Sequence, residues 1–216
     1  MKPRSLFDSS PTPALLSRTD AKALADRILA MARADSTQVS IDNGWEGNTR
    51  FADGGISTSG ESVDTTVTVT STIGKRRASA TTNVLEDASL RRTVDLAERL
   101  AKLAPEDPEL MPPLGPQTYS IVNSFIDATA GLGPEGRAAA ARKVIERASE
   151  VGKAAGNVFV AGFLDVNGGS RAIANSGGLF AYHRSTDVNL STTVRTPDGT
   201  GSGWASAGAR DCSTLD

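Results

Sequence analysis

The sequence is poor in the residues on which most catalytic chemistry depends. It carries one cysteine, Cys212, and one histidine, His183, in 216 residues. A lone cysteine excludes an internal disulfide and fits a reducing compartment. A zinc site built by this chain alone would need two or three histidines, or a set of cysteines, at ligand spacing. His183 and Cys212 are far apart in sequence and have no companion ligands, so no metal site is expected in this chain. Aromatic residues make up only 5%, within an apolar total of 38%. The core must therefore come mainly from Ala, Val, Leu and Ile. No apolar run approaches the roughly 20 residues that span a bilayer, and no apolar stretch of a secretory signal follows Lys2 and Arg4. The net charge of −2 offers no general attraction for nucleic acid or an anionic membrane. The expectation is a soluble, cytoplasmic protein with neither partner.

Nucleophilic catalysis is also short of parts. A Ser-His-Asp arrangement would have to use His183 as its base, and no Gly-x-Ser-x-Gly elbow is present. Gly201-Ser202-Gly203 reads as glycine-rich hairpin instead. His183, between Tyr182 and Arg184, reads as a partly exposed strand residue; a hydrolase using it is the last-ranked reading. Asp211 beside Cys212 does not favour a thiolate. Gly131-x-Gly133-Pro134 reads as a helix start, because Pro134 removes one amide from any anion site. Lys75-Arg76-Arg77 and Arg91-Arg92 lack interleaved aromatics, so they do not make a stacking surface for nucleic acid. They read as a solvated hairpin tip and helix face.

What the sequence does contain is organised around residues 49–104. Val63, Val67, Val69 and Ile73 share one parity, and Asp64, Thr66, Thr68 and Thr70 the other, which is the period of a half-buried strand. Gly74 turns the chain, and residues 76–82 return. From Leu90 the period becomes helical, with Val94, Ala97, Ala101 and Ala104 on one stripe and Pro105 and Pro108 as the stop. Upstream, Thr19 or Asp20 is the expected cap of a helix reaching about Ala34, with Leu24, Ala25, Ile28, Leu29 and Ala32 inward. A short strand at Val39, a turn at Asp42-Asn43-Gly44 and a returning strand from Trp45 to Phe51 follow, then a turn at Asp53-Gly54-Gly55.

Residues 105–118 hold five prolines and read as a semi-rigid connector. Beyond it, Pro134 opens a helix with Ala141, Val144, Ile145, Ala148 and Val151 inward. Antiparallel strands follow, with turns at Asn167-Gly168-Gly169, Asn175-Ser176-Gly177-Gly178 and Pro197-Asp198-Gly199. The fold class is α+β: an N-terminal helix, an antiparallel meander and a helix, then a second helix and antiparallel strands of an incomplete second domain. The expected divisions are a flexible leader (1–18), a first domain (19–104), the connector (105–118) and the start of a second domain (119–216). The strands after residue 179 are expected to lack partners, leaving an open edge prone to self-association. Thr66, Thr68 and Thr70, on a polar strand with an unpaired edge, could receive an extended peptide by strand addition.

Three stretches carry a resemblance: Asn48-Thr49-Arg50-Phe51-Ala52-Asp53-Gly54-Gly55-Ile56, Gly74-Lys75-Arg76-Arg77-Ala78-Ser79-Ala80-Thr81-Thr82-Asn83, and Ala101-Lys102-Leu103-Ala104-Pro105-Glu106-Asp107-Pro108. In order and spacing they resemble the N-terminal domain of the TldD/PmbA family. Asn175, Ser176 and Gly177 resemble the family's Asn-Ser-x-Gly turn, and Gly-Ser-Gly-Trp at 201–204 fits as well. The resemblance implies a zinc metalloprotease or its partner subunit, acting on unfolded or leader peptides. In the TldD type a His-Glu-x-x-x-His helix and a later cysteine hold the zinc. The PmbA (TldE) type lacks them and pairs with it, and the connector and the Thr-Arg-Phe-Ala segment lean that way. No catalytic residue carries over onto this chain. Zinc is expected only in a partner or in a C-terminal half. The expected role is scaffolding and peptide presentation within a homo- or heterodimer of family subunits. The alternative is a non-enzymatic assembly module that pairs through an exposed sheet edge.

Overall fold

The computed structural model describes residues 15–215. Six antiparallel strands form one sheet in the order β3-β2-β1-β4-β5-β6. The strands are β1 (Ser36–Ala52), β2 (Gly55–Ile73), β3 (Arg76–Thr82), β4 (Phe159–Asn175), β5 (Phe180–Arg195) and β6 (Ser202–Ala209). The helices are α1 (Arg18–Leu29), α2 (Asp87–Leu103), the single turn α3 (Asp127–Ala130) and α4 (Pro134–Gly152). The α+β class stands. Because β1 pairs with β4 over its length, the sheet runs unbroken past the connector at 105–118.

All the helices lie on one face. Alternation sends Val39, Ile41, Trp45 and Phe51 of β1 to that side, with Val67 and Val69 of β2 and Leu164, Val166 and Ala172 of β4, all buried. Helices α1 and α2 cover one end, where Ala25, Ile28, Leu90, Val94 and Ala97 meet these strands. Helix α4 covers the other, with Ala141 and Ile145 against Phe51 and Val160. Val63 has the core parity, yet it is 59% exposed. Strand β3 stops where Thr82 pairs with Val67, so nothing extends the cover that far.

Two expected turns are not turns. Asp42-Asn43-Gly44 lies in the middle of β1, and Asn167-Gly168-Gly169 in the middle of β4. Strand β1 is hydrogen-bonded on both sides, and that double ladder outweighs local turn preference. Gly44 and Gly169 pair directly across the ladder. Asn43 points to the core, where Oδ1 accepts from Leu16 N–H at 2.7 Å and Nδ2 donates to Thr65 Oγ1 at 2.8 Å. The Asp53-Gly54 turn does form, with positive φ at both residues (49° and 78°), which matches the twist of the flanking strands.

Ser17, not Thr19 or Asp20, caps α1: its Oγ accepts from Asp20 N–H at 3.1 Å. The helix ends at Leu29, before the expected Ala34. Residues 1–14 of the expected leader lie outside the described residues. Leu16 is held, since its carbonyl also accepts from Tyr182 Oη at 2.7 Å.

The connector crosses the end of the sheet where β2 turns into β3 and β4 into β5. Lys75 and Arg76, expected to be solvated, hold its start: Lys75 Nζ donates to Pro108 O at 3.1 Å and Arg76 Nη2 to Glu106 Oε1 at 3.4 Å. Further on, Leu114 O accepts from Asn175 Nδ2 at 2.8 Å. Strand β6 pairs only with residues 188–195 of β5. Beside the rest of β5, Thr186 N–H donates to Ser124 O and Ile126 N–H to Thr186 Oγ1, each at 3.0 Å. The segment that follows the connector thus covers part of an otherwise unpaired edge. Of the strands after residue 179, β5 has neighbours on both sides, contrary to expectation, and β6 has no strand beyond it among the described residues.

Candidate functional site

The face without helices is polar across the middle of the sheet, with Phe163 of β4 and the exposed Trp204 of β6 as apolar exceptions towards one end. Strand alternation places on it Thr66, Thr68 and Thr70 of β2, Asp42 and Glu46 of β1, Asp165, Asn167 and Arg171 of β4, and His183, Ser185 and Asp187 of β5. Gly44 and Gly169 sit side by side there with no side chains, and a concavity of about 560 Å³ opens over them. Its walls include Asp42, Glu46, Asp64, Asp187, His183 and Arg171. Arg171 Nε pairs with Asp42 Oδ1. The amide of Asn167 bridges the carboxylates of Asp165 and Asp187 at 3.0 and 2.9 Å, and that of Asn189 spans the same two at 3.2 Å. These groups satisfy one another; four carboxylates against one guanidinium leave the concavity acidic.

Thr68 and Thr70 are not at an open edge. Thr68 pairs with Ser40 on one side and Thr81 on the other, and Thr70 with Gln38 and Ser79. Their hydroxyls are shared with Thr81 and Ser79 at 3.1 and 2.8 Å. Strand addition at these two positions is ruled out because their backbone groups are already taken. The open edge lies earlier in β2. Residues 55–66 pair with β1 but have no strand on the other side among the described residues, and Thr66 is the last of them.

The Asn175-Ser176-Gly177 turn is a structural clamp. Asn175 is buried, and its Oδ1 accepts from the N–H groups of Gly177 and Leu179 at 2.9 and 3.1 Å. Ser176 exchanges two hydrogen bonds with Thr37: its N–H donates to Thr37 O at 2.9 Å, and its Oγ accepts from Thr37 N–H at 3.1 Å. Gly178 completes the turn with φ at 89°, a conformation side chains resist. With the bond to Leu114, one turn joins β1, the connector and the β4–β5 hairpin.

His183 has a companion that the sequence did not announce. Its Nε2 lies 2.8 Å from Ser124 Oγ, which is also 3.0 Å from Arg184 O. A carbonyl only accepts. Ser124 therefore gives its proton to Arg184 O, and His183 Nε2–H donates to Ser124. A buried serine with its proton so committed is not poised as a nucleophile. Cys212 lies in the helix-side cluster with Trp45, Leu132 and Val188, on the face opposite His183. Burial pushes its thiol above the ordinary 9.0. Among the described residues no three of His, Cys, Asp and Glu converge as metal ligands. A zinc ion does not fit the donors that the described residues offer. No helix among the described residues is long and apolar enough to cross a membrane.

A second site also escaped the sequence reading. Arg137, on the first turn of α4, is fully buried on the helix side. Its Nη1 donates to Glu61 Oε1 and to Leu132 O, each at 3.0 Å, while Nε and Nη2 have no partner. Its Cζ stands 6.0 Å from the Trp45 ring centroid. A buried arginine leaves no hydrophobic period to detect. Its position joins α4 to β2, so this is an anchor.

A long-stranded antiparallel sheet with helices on one face only and a strapped connector defines an α+β class. Two family models match: the PmbA/TldA metallopeptidase domain 1 over residues 35–101, and the PmbA/TldA metallopeptidase central domain over residues 127–215. The chain belongs to the TldD/PmbA family. Its fold is similar to that of TldE from Thermococcus kodakarensis (TM-score 0.75, 14% identity, 90% of this chain and 43% of that one). It is equally similar to a protein from Thermotoga maritima named as a candidate modulator of DNA gyrase (TM-score 0.75, 18% identity, 90% and 44%). A counterpart so named from Bacteroides thetaiotaomicron gives 0.67, with 16% identity, 91% and 45%. The chain spans less than half the length of these structures. Comparison with curated proteins gives no match.

Proposed function

We propose that this chain is a scaffolding part of a metallopeptidase-related assembly and that it presents an extended peptide for cleavage elsewhere. The observation that carries this reading is the open edge of β2 at residues 55–66, a row of backbone donors and acceptors beside a polar face. Such an edge receives an extended chain through its main chain, with little demand on sequence. That suits an unfolded or leader peptide. Zinc, in this reading, is held by a dimer partner of the same family or by further chain. The assembly works in the cytoplasm.

The test is binding of an unstructured synthetic peptide, compared with the same peptide N-methylated at alternate residues. Methylation removes the donors that strand addition uses, so binding should be lost. Equal binding of both peptides would sink strand addition. Cleavage of the peptide by the purified chain, abolished by EDTA, would sink the non-catalytic role. The same open edge also suits a purely structural module. In that case a folded sheet-bearing partner, and no unstructured peptide, would bind.

A further inference from the structure

Helix α2 buries one stripe and displays another. Leu90, Val94, Ala97 and Ala101 are fully enclosed, while Leu96, Leu100 and Leu103 are 41%, 40% and 81% exposed. Spacings of four and three put these leucines on one line along the helix. At about 100° per residue, that line lies across the helix from Glu98, whose carboxylate accepts from the N–H groups of Arg33 and Ala34. The leucines therefore point away from the α1 side. Strand β3 beneath α2 is the last strand of the sheet, so no further strand among the described residues adjoins this flank.

The charges next to the stripe are cationic: at about 100° per residue Arg92 and Arg99 flank the leucines, while Arg91 and Lys102 lie towards Glu98. Arg91, Arg92, Arg99 and Lys102 are exposed on α2, and none is in an ion pair among the described residues. Of the acids on α2, Asp87 faces Arg27 and Glu98 is occupied as above. Asp95 remains, and it lies on the far side of Arg92 and Arg99 from the leucines.

We infer that this leucine stripe with its basic flank is a docking surface for an acidic amphipathic helix of another polypeptide. Leucines of the incoming helix seat between Leu96, Leu100 and Leu103, as ridges enter grooves. Its glutamates or aspartates reach Arg92 and Arg99, which stand two turns apart on one flank. A second copy of this chain is a poor occupant. An antiparallel α2 pair centred near Leu100 would bring two copies of Arg99 together, and like charges so placed oppose association. The surface uses neither the β2 edge nor the concavity, and so stands apart from the reading above.

The experiment titrates this chain into labelled synthetic helices of about five turns, with leucines at helical spacing. One peptide is flanked by glutamates and its counterpart by lysines. Vesicles of phosphatidylcholine and phosphatidylserine are tested in parallel. The glutamate peptide should bind saturably and the lysine peptide should not. Leu100→Ala and Leu103→Gln should each weaken binding at least about tenfold, as loss of an interface anchor does. Arg92→Glu with Arg99→Glu should do the same. Leu103 is so exposed that its variant keeps the fold, which a thermal melt checks. The inference fails if neither peptide binds, if the lysine peptide binds equally, if the leucine variants bind like the parent, or if only the vesicles are bound.

Discussion

Gly47→Ala puts the buried Arg137 under direct strain. Gly47 faces the helix side of β1, and a Cβ there would lie 2.4 Å from Arg137 Nη1, 2.8 Å from Arg137 Cζ and 2.9 Å from Trp45 Cζ2. A guanidinium on the surface would swing aside. This one is enclosed, and Trp45 is buried next to it, so it has nowhere to go. Moving Nη1 breaks its bonds to Glu61 and Leu132. Nε and Nη2 have no partners already, so the charge would be left buried and uncompensated. Breaking a buried pair in this way costs about 3–5 kcal/mol. In a chain of this size that lowers the melting temperature by about 6–20 °C. Urea unfolding of the parent and Gly47→Ala at neutral pH measures it. Repeating the change in an Arg137→Ala background, where the guanidinium is gone and Trp45 can shift into the vacated space, should reduce the cost to about 0.5 kcal/mol or less. A loss under about 1 kcal/mol in the parent background, or the same loss in both, would refute the reasoning.

Two further outcomes are expected. Asn175→Ala should destabilise by about 1–3 kcal/mol for each buried group left unpaired, and limited proteolysis should begin in the connector near Leu114. Asn175→Asp keeps the acceptors of the turn and loses only the donor to Leu114 O, so it should show the proteolysis with a smaller loss of stability. Connector cleavage unchanged in both variants would contradict the clamp. Cys212 has its thiol pushed up, first by burial and then by Asp211, so at pH 8 less of it is thiolate than of an ordinary thiol. Its labelling should be slow in the native protein, faster as pH rises above 9.0, and fast at pH 8 once urea exposes it. Equal rates in the native and unfolded chain would show that the site is open.

Much of the fold was legible in the sequence because local patterns repeat with structural periods. The helical stripe of α2, Pro134 at the start of α4, the glycine turns at Gly54 and Gly74 and the alternation of β2 are local signals that the structure keeps. The candidate site was legible only in part. Thr68 and Thr70 were read on a polar strand, which they are, but which strand lies beside which is not a local property. Asp42-Asn43-Gly44 has the composition of a turn, and only a neighbour on each side of β1 makes it strand. The pairing of Gly44 with Gly169, the seat of Arg137 beneath Gly47, and the meeting of Ser124 with His183 join residues far apart in sequence. The sequence by itself determined the main helices, the hairpin turns at Gly54 and Gly74, the family and the shortage of histidine and cysteine, because periodicity, motif order and residue counts are properties of the chain. Tertiary structure alone decided which edge of β2 is open, which charges are buried and where the connector lies, because those depend on pairing and packing between distant segments.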